Sequence, residues 1–193
     1  MSERYELIVI GSSWGGMNAL QTILCALPAD FHTPIAIAQH RHRQSAEGLP
    51  EFFRRSCRVR VMDVDDKQRI DPSTVYFAPA NYHLLVENGW FDLSCDEAVR
   101  YSRPSIDVLF ESAADAYGAR LIGVVLTGAN DDGAAGVKRI KRRGGVVIVQ
   151  DPKTAEAPQM PQAAISAASV DQILPLDEIA PYLVERCRLA VYR

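Results

Sequence analysis

The sequence predicts an α/β fold: a doubly wound, mainly parallel sheet flanked by helices, with an inserted antiparallel β-hairpin. Three observations carry this prediction. Continuously apolar runs such as Leu7-Ile8-Val9-Ile10, Ile35 to Ala38 and Leu121 to Thr127 suit strands buried on both faces. Stretches of helical period alternate with those runs, as βαβ units require. Between them, His83 to Glu87 and Trp90 to Ser94 flank Asn88-Gly89, the dipeptide that favours a two-residue type I′ turn.

In chain order, the first strand empties into Gly11-Ser12-Ser13-Trp14-Gly15-Gly16. Met17 to Leu27 then reads as a helix with Leu20, Ile23, Leu24 and Leu27 on one face, stopped by Pro28. Ile35 to Ala38 leads into Gln39-His40 and a polar loop. A helix over Ser45 to Ser56 follows, with short strands over Arg58 to Asp63 and Val75 to Ala78, the latter broken by Pro79. After the hairpin, Arg103-Pro104-Ser105 opens a helix reaching Tyr117. The strand over Leu121 to Thr127 ends in Gly128-Ala129-Asn130-Asp131-Asp132-Gly133, ahead of a helix over Ala134 to Arg143 and a strand over Val146 to Gln150. A small-residue helix after Met160-Pro161, a strand over Val170 to Leu174 and a helix around Asp177 to Leu189 complete the pattern.

Size and composition narrow the function. A chain of 193 residues suits one domain, 1–193, with a core that needs no metal or disulfide staple. No apolar run reaches bilayer length and no basic-then-apolar leader opens the chain, so a cytoplasmic protein that is not membrane-inserted is expected. The net charge of −3 argues against nucleic acid as a partner. Cys25, Cys57, Cys95 and Cys187 lie far apart without a Cys-x-x-Cys pair, so reduced structural thiols and no metal are expected. The basic run Lys138-Arg139, Lys141-Arg142-Arg143 before Gly144-Gly145 reads as cations complementing a helix C-terminus, followed by a glycine cap.

The first strand, its tight turn and the following helix have the layout of a nucleophile elbow, Gly11-x-Ser13-x-Gly15. Helix N–H groups aimed at the turn suit a developing oxyanion. The spacing is not Gly-x-Gly-x-x-Gly, and no P-loop Lys follows, so nucleotide-binding readings fall. A serine hydroxyl needs a base to take its proton and a third group to orient that base. His40 sits just past a strand end, where an open parallel sheet gathers its functional residues. His32 falls in a loop, His42 in the polar stretch, and His83 at a hairpin rim or strand surface. The carboxylate is Asp131 or Asp132; one of the pair could instead cap the helix at Gly133.

Taken together, these residues closely resemble the catalytic domain of the chemotaxis protein-glutamate methylesterase family. The likeness rests on the strand and elbow, Gln39-His40, Tyr76-x-Ala78-Pro79, His83-Leu84, Arg103 to Phe110, Leu126-Thr127-Gly128, Asp132 to Gly136, Gln150-Asp151 and Met160-Pro161. The resemblance implies Ser13 as nucleophile, His40 as base and Asp132 as orienting carboxylate. It also implies Ala129 as an oxyanion N–H donor; Trp14 and Gly15, beside the nucleophile, are further oxyanion or substrate-site candidates. The implied reaction is hydrolysis of glutamate γ-methyl esters on the methylated cytoplasmic helical region of chemoreceptors, with receptor glutamine deamidation as related chemistry. It needs no cofactor.

Departures from the family pattern are informative. Trp14 stands where threonine is frequent, which predicts a narrowed or restacked substrate groove. Asn130 stands where glycine is more usual, and Arg41-x-Arg43 is expected to help dock an acidic receptor helix. Met1 lies just before the first catalytic strand, where family members commonly carry a receiver domain; the expectation is either a stand-alone enzyme controlled by expression or by a separate regulatory protein, or a piece of a longer protein. The competing readings are a Ser-His-Asp esterase or amidase with another substrate, and a catalytically silent receptor-binding module.

Overall fold

The computed structural model describes residues 5–40 and 49–188. In chain order these form β1 (Leu7–Ser12), α1 (Gly16–Ala26), β2 (Ile35–Gln39), α2 (Leu49–Arg54), β3 (Arg60–Asp63) and β4 (Thr74–Phe77). The hairpin β5 (His83–Glu87) and β6 (Trp90–Ser94) follows, then α3 (Ile106–Tyr117), β7 (Leu121–Val125), α4 (Ala134–Arg142), β8 (Val146–Gln150), α5 (Gln159–Ala167), β9 (Gln172–Leu174) and α6 (Leu176–Arg188). The main sheet has seven parallel strands in the order β3-β4-β2-β1-β7-β8-β9, and the hairpin stands apart as an antiparallel pair.

Strand alternation explains the continuous apolar runs. Ile8, Ile10, Ile35, Ile37, Ile122 and Val124 face one core with Leu20, Ile23 and Leu24 of α1, Phe53 of α2, and Ile179 and Leu183 of α6. Leu7, Val9, Ala36, Leu121 and Val125 face the other with Leu109, Phe110 and Ala113 of α3, Val137 and Ile140 of α4, and Met160 of α5. A strand covered by helices on both sides has no polar face to display. Because β2 lies on one side of β1 and β7 on the other, the chain reverses its direction of travel across the sheet at β1. The carboxyl ends of these three strands therefore border the crevice where open α/β sheets place their sites.

Several expectations need correction. The turn at Asn88-Gly89 is not type I′, because Gly89 alone has positive φ, at 89°. Cys25 and Cys57 are joined in a disulfide between α1 and the segment after α2, in place of reduced thiols; Cys95 and Cys187 are free. The helix expected over Ser45 to Ser56 is Leu49–Arg54 within the described residues. The basic end of α4 does more than complement a dipole: Arg139 and Arg143 pair with Asp115 of α3, and Lys141 with Asp171. The glycine cap is present, with Gly144 left-handed at φ 85°.

Candidate active site

Ser13 follows β1 on a turn closed by the Gly16 N–H donating to the Ser13 carbonyl at 2.9 Å. Gly15 makes this turn possible, because its φ of 77° lies in the left-handed region. The Ser13 N–H donates to the Thr127 carbonyl at 3.0 Å, and the His40 N–H to the Ser12 carbonyl at 2.9 Å. Three loops, after β1, β2 and β7, are thus bonded to one another at a single sheet edge.

Two buried glutamines brace that edge. Gln39 accepts from the Ser12 hydroxyl at 2.6 Å and donates through Nε2 to the carbonyls of Ser13 (3.0 Å) and His40 (2.8 Å). Gln150 accepts from the Thr127 N–H at 2.9 Å and donates to the Thr154 carbonyl at 3.0 Å. The Thr127 hydroxyl donates to the Trp14 carbonyl at 2.9 Å and accepts from the Ala157 N–H at 2.8 Å. The bracing role of these side chains had no local signal in the sequence: a glutamine at a strand end looks the same whether it faces water or a neighbouring loop.

Asp132, only 2% exposed, is the carboxylate that pairs with His40. His40 Nε2 lies 2.8 Å from its Oδ2, which also accepts from the Ile106 N–H at 2.8 Å. Its Oδ1 accepts from the Ser105 hydroxyl at 3.0 Å and the Asp107 N–H at 2.9 Å. The donors beside His40 belong to the first turn of α3, so otherwise unpaired helix N–H groups and the positive dipole end hold the charge. Burial opposes ionisation, but the hydrogen bonds from His40 and the Asp107 and Ile106 N–H groups outweigh it and lower the carboxyl below its ordinary value. Asp107, which accepts from the Gly136 N–H at 2.8 Å, is shifted the other way, by burial first and by the nearby Asp132 charge as well.

Asp131 and Asp132 are therefore separated by environment. Asp131 is exposed and pairs with Arg100, whose Nε also lies 3.3 Å from Asp107 Oδ2. Neither aspartate caps α4: Gly133, at φ 100°, occupies the cap position without a side-chain bond. His83 is not a rim residue. It is 2% exposed, accepts at Nδ1 from the Ser105 N–H (3.2 Å) and bonds the Glu97 carbonyl through Nε2 (3.1 Å), steadying the residue whose hydroxyl reaches Asp132. His32 lies in a loop as expected, 3.4 Å from the Ser73 hydroxyl.

The remaining candidates divide. Trp14 is 66% exposed, so its ring stands at the surface of the elbow. The backbone N–H groups of Trp14, Gly15 and Ala129 make no hydrogen bond among the described residues. Arg41, His42 and Arg43 lie outside the described residues. Among the described residues no acidic, histidine or cysteine cluster could hold a metal ion, and no helix is long and apolar enough to cross a membrane.

Known proteins resemble this chain over most of its length. A family model described as CheB methylesterase matches residues 8–183. A Leptospira interrogans protein named "Putative protein-glutamate methylesterase/protein-glutamine glutaminase" is 49% identical over 181 residues, which cover 93% of this chain and 94% of that one. The protein-glutamate methylesterase FrzG of Myxococcus xanthus is 38% identical over 182 residues, 94% of this chain but 54% of its own, so the chain spans about half of that relative. The crystal structure of the Thermotoga maritima CheB methylesterase catalytic domain superposes with a TM-score of 0.89 at 33% identity, covering 93% of this chain and 97% of that one.

Proposed function

We propose that this chain, which belongs to the CheB methylesterase family, hydrolyses glutamate γ-methyl esters on the cytoplasmic helical region of chemoreceptors. The observation that carries this reading is the His40–Asp132 pair, set on the α3 N-terminus beside the Ser13 elbow. With Nε2 committed to Asp132, Nδ1 is the nitrogen left to act as base, the reverse of the ring usage in the serine-protease template.

Ser13 Oγ attacks the ester carbonyl as its proton passes to His40 Nδ1. The tetrahedral oxyanion is held by the N–H groups of Trp14, Gly15 and Ala129. Collapse returns the proton to the methoxy oxygen and releases methanol, leaving a glutamyl ester on Ser13. A water that gives its proton to His40 then hydrolyses this ester and restores Ser13. Asp132 keeps its charge throughout and stabilises the imidazolium in both steps. Glutamine deamidation is the same acyl transfer with ammonia leaving, and the name of the Leptospira relative supports including it. A substrate on the cytoplasmic side of the receptor supports a cytoplasmic location.

The test is methanol release from receptor membranes carrying labelled methyl groups, with Ser13→Ala as the comparison. Release that disappears with Ser13 supports the proposal. Release that survives in a folded Ser13→Ala protein overturns the nucleophile, and no release from either protein overturns the substrate.

A further inference from the structure

Asn130, in the loop between β7 and α4, makes two bonds that together fix the chemistry of the neighbouring ring. Its Oδ1 accepts from the Asp132 N–H at 3.1 Å, which sets the orientation of the amide, because the other end could only oppose donor to donor. Its Nδ2 then faces His40 Nδ1 at 3.1 Å. An amide nitrogen can only donate, so Nδ1 carries its lone pair and the proton of the neutral ring sits on Nε2, against Asp132 at 2.8 Å. That lone pair is the one the Ser13 proton needs. Ser13 Oγ makes no hydrogen bond among the described residues.

A ring nitrogen of this type offers one in-plane lone pair, so the Asn130 amide and the Ser13 hydroxyl compete for it. We propose that Asn130 is a positioning residue for His40: its amide reinforces the tautomer that the Asp132 carboxylate imposes, whose base is Nδ1, and occupies that base until the Ser13 hydroxyl displaces it. This inference rests on the reading of Ser13 as nucleophile and His40 as base. The contact is short-range and built by the loop that also carries Asp132, so one turn sets both sides of the imidazole.

Two substitutions separate the functions of the amide. Asn130→Ala removes both bonds and frees the lone pair. Asn130→Asp keeps an oxygen for the Asp132 N–H but replaces the donor with a carboxylate, which holds a proton on Nδ1. The probe is phenylmethanesulfonyl fluoride: Ser13 Oγ bonds to sulfur, fluoride leaves and Nδ1 takes the proton. We expect Asn130→Ala to be modified roughly two- to tenfold faster than wild type, the value of one net hydrogen bond, with kcat raised and KM little changed. Asn130→Asp should be modified at least about tenfold more slowly, from the stronger charged hydrogen bond it creates.

A purely structural role, acting through the Asp132 N–H bond alone, would slow Asn130→Ala and spare Asn130→Asp, and that result overturns the proposal. So does an imidazole 15N spectrum in which the His40 Nδ1 signal is the same in wild type and Asn130→Ala; an Nδ1 that moves while Nε2 stays supports it. Failure of the underlying reading looks different. Modification that persists in Ser13→Ala counts against the nucleophile, while the 15N comparison still decides the Asn130 contact.

Discussion

Asp132→Asn is the most searching substitution because it changes charge while nearly keeping shape. The native carboxylate accepts four hydrogen bonds, two on each oxygen. An asparagine has one oxygen, and its NH2 must face the other pair of donors. In one orientation the NH2 opposes the Ile106 N–H; in the other it opposes the Asp107 N–H. Either way a buried backbone donor is orphaned, at a cost of about 1–3 kcal/mol, and the surviving bonds lose their charge assistance. We expect stability to fall by about 2–4 kcal/mol in urea denaturation. The effect on turnover should be larger still, because a neutral amide cannot stabilise the imidazolium, and kcat for methanol release should fall on the order of 10³–10⁴-fold. The reasoning is refuted if the folded variant keeps more than about a tenth of wild-type kcat, or if its urea midpoint is unchanged while activity is lost.

The same carboxylate fixes the sign of a pH effect. Its folded value is lowered, so its stabilisation is present above the unfolded aspartate value near ~3.9 and is lost as pH falls through the folded value; urea midpoints against pH should be flatter there in Asp132→Asn. A methyl group on Gly128 would overlap Met160 and come within 2.9 Å of Ser13 Cβ, so Gly128→Ala should lose about 1–3 kcal/mol and displace the nucleophile, seen as a kcat loss beyond the shift in Tm. Opening the Cys25–Cys57 disulfide, with 32 residues of sequence separation, should cost about 3–4 kcal/mol on the chain-entropy relation, measured by urea denaturation with and without reductant. His83→Ala should lose about 2 kcal/mol and slow turnover modestly through Ser105; an unchanged kcat would show that this support does not reach Asp132.

What the chain determined by itself was local and periodic. Apolar runs specify strands buried on both faces, and the boundaries of β5, β6 and β8 follow the residue pattern to the residue. The glycine spacing around Ser13 specifies a turn that only a left-handed residue at Gly15 closes. His40 at a strand end and an aspartate before Gly133 were legible for the same reason, since strand ends in a doubly wound sheet share an edge. What the tertiary structure decided depended on partners distant in sequence. Asp132 is separated from Asp131 by burial against α3, and the role of Gln39 comes from the Ser13 carbonyl, 26 residues away. The Cys25–Cys57 bond comes from how α1 and the segment after α2 meet. Asn130 touches a histidine 90 residues away. Hydrogen bonds act over about 3 Å, while sequence pattern reports only which face a residue occupies, so chemistry between loops became visible only when the sheet had brought them together.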